Sequence, residues 1–113
     1  MIVTGYDLGM NTSGGFSEYV RVPAEWVVRL PEAISLKYAM AFGTAGLTAV
    51  LCIDLLNKNC GIKNNQAIVT GSTGGVGSVT IQLLSKLGAQ ITAVTGKSDS
   101  NEFLSEIGAN TIL

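Results

Sequence analysis

From Gln66 onward, short runs of consecutive apolar residues alternate with stretches in which apolar positions recur every three or four residues. Gln66-Ala67-Ile68-Val69-Thr70 predicts a short apolar strand. Val76, Val79, Leu83, Leu84 and Leu87 follow at helical spacing, with Gly88 where a C-terminal glycine cap belongs. Gln90 to Thr95 predicts a second strand. Asp99 and Glu102 are spaced as a capping box ahead of a helix that buries Phe103, Leu104 and Ile107 and ends at Gly108. Thr111-Ile112-Leu113 begins a third strand. The order is β-α-β-α-β, which implies a parallel sheet with right-handed crossovers.

Upstream the pattern changes. Ile2-Val3-Thr4, the imperfect alternation from Phe16 to Val22, and Trp26-Val27-Val28 predict short strands; a loop from Gly5 to Gly15 separates the first two. Between Pro31 and Asn59 the spacing is helical. Ser35 caps a short helix through Ala41, Gly43 breaks it, and a second helix runs from about Thr44 to Asn57. Apolar residues cover almost the whole circumference of that second helix, so burial on most sides is expected. The apolar uncharged run from Tyr38 to Ile53 falls short of the roughly 20 residues that span a bilayer.

Composition sharpens this picture in three ways. Of 113 residues, 47% are apolar and only 13% charged, against about 25% charged in an ordinary soluble domain. Faces that would be exposed here are expected to be interior in something larger, and a parallel sheet of three short strands needs cover on both sides. The net charge of −1 leaves no basic surplus for nucleic acid or an anionic membrane, and neither is expected as a partner. The chain has no histidine and two cysteines. That removes histidine triads, bases and ligands, and two thiols cannot complete a zinc site, so no metal is expected. Cys52 and Cys60 are expected to be buried thiols in a reducing cytoplasm. The N-terminus carries neither the basic nor the apolar region of a signal peptide.

The candidate chemistry lies in Gly71-Ser72-Thr73-Gly74-Gly75-Val76-Gly77, between the first strand and the helix that follows it. Glycines permit a tight turn and let backbone approach a phosphate, while the helix start directs unpaired N–H groups and partial positive charge at the same point. A diphosphate is the natural guest, with Ser72, Thr73, Gly74, Gly75 and Val76 as candidate contacts. No Lys-Ser or Lys-Thr follows the glycines, which excludes a P-loop. The loop approximates GxGxxG, with Ser72 in the first glycine position. About 20 residues on, where an NAD site places an acid for the ribose 2′-hydroxyl, the chain reads Thr95-Gly96-Lys97-Ser98. A lysine between two hydroxyls suits a 2′-phosphate, so the expected cofactor is NADP(H), with Lys97 as its main charge partner and Thr95 and Ser98 beside it.

The loop is similar to the TGxxxGxG start of short-chain dehydrogenases, but no Tyr-x-x-x-Lys follows and some 65 residues precede the strand. Those preceding residues resemble another family. Gly14-Gly15-Phe16-Ser17-Glu18-Tyr19-Val20, Trp26-Val27-Val28-Arg29-Leu30-Pro31 and Ala41-Phe42-Gly43-Thr44-Ala45-Gly46-Leu47-Thr48-Ala49 resemble, in order, the medium-chain dehydrogenase/reductase superfamily. Within it, the likeness is to the zinc-free quinone-oxidoreductase group, of the acrylyl-CoA reductase type. The resemblance implies that 1–34 end a GroES-like β-barrel catalytic domain, that 35–65 are connecting helices, and that 66–113 are the first half of a Rossmann NADP-binding domain. It also implies that Thr44 and Thr48 lie near the nicotinamide. The expected activity of the parent is hydride transfer from NADPH to an activated C=C bond or a quinone, in the cytoplasm, on a small-molecule substrate, with a homo-oligomer compatible. The fragment alone is expected to be inactive. No proton donor stands out: Tyr6 and Tyr19 are the hydroxyls on offer, and Tyr19 reads as packing. The rival expectations are an NADP(H)-binding or interaction module without turnover, and a chain that folds by pairing with a second copy along its sheet edges.

Overall fold

The alternating pattern after Gln66 folds into the predicted elements, except that Phe103, expected on the buried face of the last helix, is exposed. A computed structural model describes all 113 residues, which divide into two compact units, Met1–Thr44 and Ala45–Leu113.

In the second unit, β1 (Gln66–Thr70), α2 (Gly75–Lys86), β2 (Gln90–Val94), α3 (Asn101–Glu106) and β3 (Thr111–Ile112) alternate along the chain. The strands form a parallel sheet in the order β1-β2-β3, with Gln66 opposite Gln90, Thr70 opposite Val94 and Thr92 opposite Thr111. Side chains alternate across the sheet. Val69, Ile91 and Ala93 are buried, and against them pack Ile81 and Leu84 of α2, Leu104 of α3, Ile53, and the loop residues Ile62 and Ala89. The neighbouring Ile68 is 73% exposed, so the cover on one side of β1 is not supplied by these residues.

α1 (Leu36–Cys60) precedes the sheet. Ser35 caps it as expected, its hydroxyl accepting the Tyr38 N–H at 3.3 Å. Gly43 (φ 48°, ψ −153°) interrupts it, in a backbone region where a Cβ would be strained. The break predicted there is present, next to the boundary between the units. By length and composition α1 could cross a membrane, with a mean hydropathy of 1.8 in its most apolar stretch, but the kink at Gly43 shortens the continuous helix below about 20 residues.

Several expectations are corrected here. The helix after Gly43 buries only Gly46, Ala49 and Ile53; Leu47, Val50, Leu51, Leu55 and Leu56 are exposed, as are both Cys52 and Cys60. The all-round apolar surface is real, but these 113 residues cover one face of it. In the first unit, the three predicted strands reduce to isolated pairings. Ile2 and Val28 exchange backbone hydrogen bonds of 2.7 and 2.8 Å, Ala24–Trp26 is a turn of 3₁₀ helix, and Phe16 to Val22 is coil, exposed except at the half-buried Val22. A strand needs a neighbour to pair with, and this segment has none within the unit. Finally, Ser100 rather than Asp99 stands at the N-cap of α3, with no side-chain cap bond. Asp99 instead accepts the Ser100 hydroxyl at 3.4 Å, and Glu102 sits in the first turn, where its charge suits the helix dipole.

In urea unfolding of the chain, Ile91→Ala is expected to lower stability by about 2–5 kcal/mol, the cost of emptying a closed core site. Ile68→Ala is expected to change it by no more than about 0.5 kcal/mol. Equal effects would contradict this assignment of the covered face.

Candidate functional site

Because β1 and β2 are adjacent and parallel, the loops that follow them leave the sheet at the same edge. That is where ligands bind in open α/β sheets. After Thr70, Gly71 turns the chain, and the Gly74 N–H closes the turn on the Gly71 carbonyl at 2.9 Å. Gly74 is the N-cap of α2 and provides no side-chain cap; no acid lies in the first turn. The N–H groups of Gly75, Val76 and Gly77 therefore open the helix without intrahelical acceptors, and Ser78 is the first to bond back, to Gly74 at 2.9 Å. Gly74, Gly75 and Val76 are exposed and Thr73 is half-buried. This arrangement fits an anion approaching backbone donors.

The helix start lies very close to the loop. A Cβ on Gly77 would overlap the Gly71 carbonyl oxygen and come within 2.9 Å of the Ser72 Cα. On Gly75, a Cβ would come within 3.2 Å of the Ala45 Cβ, so the part of α1 just after the kink borders the loop. Thr48 is one helical turn from Ala45, on the same side of α1. Thr44 belongs to the first unit, where its hydroxyl pairs with that of Thr4 at 3.0 Å.

Ser72 differs from the other candidate contacts. It is 0% exposed. Its hydroxyl donates to the Val69 carbonyl at 2.7 Å and accepts the Val94 N–H at 3.0 Å, and its own N–H donates to the Val94 carbonyl at 3.3 Å. A side chain with no accessible surface and two backbone partners is not presented to a ligand. Sequence reasoning missed this tie; the signal for it is a small hydroxyl in a position usually held by glycine.

Beyond β2, the Thr95 N–H donates to the Leu113 carbonyl at 2.9 Å, and the Thr95 hydroxyl accepts the Lys97 N–H at 3.2 Å. Lys97 and Ser98 are exposed. The ion pairs are Arg29–Glu32 and Lys58–Asp54, so the Lys97 ammonium stands without an acidic partner. A depression of about 500 Å³ lies at the other end of β1, between Leu56, Cys60, Ile62 and Ala67. It is remote in chain order from the two loops. No three His, Cys, Asp or Glu side chains come together. Tyr6 stacks on Trp26 with ring centroids 4.8 Å apart, and Tyr19, expected in a strand, is exposed.

No protein-family profile matches the chain. It is 41% identical over 114 residues to YhfP of Bacillus subtilis, provisionally named a quinone oxidoreductase, covering 100% of this chain and 34% of that protein. It is 39% identical over 115 residues to the acrylyl-CoA reductase AcuI of Ruegeria pomeroyi, with 100% and 34% covered. Among solved structures, the yhdH oxidoreductase of Salmonella enterica in complex with NADP matches with a TM-score of 0.91 and 44% identity, over 98% of this chain and 35% of that one. Bacillus subtilis yhfP, solved with NAD bound, matches with a TM-score of 0.89 and 40% identity, over 98% and 34%. The chain spans about a third of the length of these relatives. Fold, loop and relatives together define a segment of a medium-chain dehydrogenase/reductase. Within that superfamily the chain is similar to proteins named quinone oxidoreductase and acrylyl-CoA reductase.

Gly77→Ala forces the start of α2 off the loop, and overpacking of this kind costs about 1–3 kcal/mol. A fall in the unfolding midpoint is the expected result, and an unchanged midpoint would mean that the close approach is not required.

Proposed function

We propose that the whole protein is an NADPH-dependent oxidoreductase that reduces an activated C=C bond or a quinone. The observation that carries this is the pairing, at one sheet edge, of a cap-free glycine loop with a loop bearing an unpaired lysine. Relatives of 39–41% identity named for such reductions support it, as does the complex of yhdH with NADP.

In this reading Gly74, Gly75 and Val76 hold the diphosphate through backbone N–H groups, while Thr73 lines the loop. Thr95, Lys97 and Ser98 take the adenosine 2′-phosphate, and Thr44 and Thr48 face the nicotinamide. Ser72 acts from beneath the loop. YhfP has been solved with NAD, so membership of the group does not decide the nucleotide. What favours NADP(H) here is the absence of an acid at the tip of β2 and the presence of Lys97. When bound, the cofactor supplies a hydride to the acceptor's β-carbon. The chain's own residues orient it: the glycine loop fixes one end, and orientation of this kind is a large part of the rate enhancement. With no histidine and two separated cysteines, these residues bring no metal-ligand set, in keeping with a zinc-independent branch.

Residues 1–34 are read as the end of a GroES-like catalytic domain, 35–65 as connecting helices and 66–113 as the first half of the NADP-binding domain. The exposed leucines of α1 and the exposed Ile68 are then surfaces that the remainder of the protein covers, in a soluble cytoplasmic enzyme acting on a small molecule.

Consumption of NADPH by the full-length protein with acrylyl-CoA or a quinone tests the activity; nucleotide binding without turnover would favour a non-catalytic module. For Lys97→Ala, the loss of one charge-assisted contact is worth roughly 1.5–3 kcal/mol. The dissociation constant for NADPH should therefore rise by at least about tenfold while that for NADH changes little. An unchanged ratio of the two would remove Lys97 from the role.

A further inference from the structure

The diphosphate loop and the Thr95–Ser98 loop have to be held at a set separation if one nucleotide is to reach both. Regular pairing of β1 with β2 ends at Thr70 opposite Val94, one residue before the second loop begins. Past that point Ser72 takes over the ladder. Its N–H donates to the Val94 carbonyl at 3.3 Å and its hydroxyl accepts the Val94 N–H at 3.0 Å. The hydroxyl proton is committed to the Val69 carbonyl at 2.7 Å, which leaves a lone pair for Val94. On its other side, the Ser72 backbone lies against Gly77, where a Cβ would come within 2.9 Å of the Ser72 Cα. Ser72 thus touches the end of β1, the end of β2 and the start of α2, and it is fully buried while doing so. The outer flank of the second loop is tied separately, through Thr95 to Leu113 at 2.9 Å.

We propose that Ser72 is a positioning residue that sets the preference for NADPH over NADH by fixing the Thr95–Ser98 loop relative to the glycine loop. The proposal rests on the reading of that second loop as the 2′-phosphate site. Both nucleotides carry the diphosphate, so loosening the tie leaves that contact in place. Only NADPH also needs the second loop at the right distance. A tie that merely stabilised the fold would affect both nucleotides alike.

The test is made on the full-length protein. Dissociation constants for NADPH and NADH are measured by calorimetry for wild type, Ser72→Ala and Lys97→Ala, with hydrogen exchange of the segment containing Val94 to Ser98 followed in the nucleotide-free state. For Ser72→Ala, NADPH affinity is expected to fall about 3- to 10-fold, the scale of one hydrogen bond, with NADH within about twofold and faster exchange in the segment. Equal losses for both nucleotides, or an unchanged preference, overturn the proposal. If Lys97→Ala abolishes the preference and Ser72→Ala does not, the role of Ser72 falls while the 2′-phosphate site stands. If neither variant moves it, the site itself falls and the proposal with it. Should Ser72→Ala fold poorly, Ser72→Cys, which keeps a weak donor and acceptor, is expected to retain an intermediate preference; a preference equal to wild type or lost equally for both nucleotides then counts against the tie.

Discussion

How closely the first turn of α2 can sit on the loop after β1 decides most of this molecule. The Gly71 carbonyl and the Ser72 backbone occupy the volume that a side chain on Gly77 would need. That contact sets the direction in which α2 leaves the sheet, and so which of its residues reach the core: Ile81 and Leu84, with no and almost no exposure, pack against Val69, Ile91 and Ala93. The same contact exposes the helix's first N–H groups at the sheet edge instead of capping them with a side chain. The packing of α2 and the exposure of its first N–H groups therefore meet at one contact.

A second constraint comes from the shortage of charge. With 13% charged residues, the chain cannot clothe all of its outer faces in polar groups. The apolar side chains it leaves exposed are not scattered. Leu47, Val50, Leu51, Leu55 and Leu56 lie along α1, and Ile68 lies on the uncovered face of β1. Since the relatives are about three times as long, these faces have an obvious source of cover in the proposed whole protein. The exposed Cys52 and Cys60 belong to the same helix and need no separate explanation.

Among the solved relatives, one is a complex with NADP and another has NAD bound, so the shared fold does not by itself decide the nucleotide. Here an unpaired lysine flanked by hydroxyls occupies the tip. Its base is held from one side by Ser72 and from the other by the Thr95–Leu113 hydrogen bond.

Much of this could be read without coordinates. The three strands of the sheet, both helices between them, the break at Gly43 and the glycine turn into α2 follow from local rules: period, glycine placement and turn chemistry act over a few residues and are written there. The first unit could not be read the same way. Phe16–Val22 has the alternation of a strand but adopts coil, because a strand exists only through its partners, and alternation does not reveal whether partners are present. Burial of α1 failed for the same reason, since an apolar circumference says what a helix can bury and not what stands next to it. The role of Ser72 depended wholly on tertiary structure: its partner Val94 is 22 residues away, and only the parallel pairing of β1 with β2 brings that N–H to a buried hydroxyl that the residue order alone would offer to a ligand.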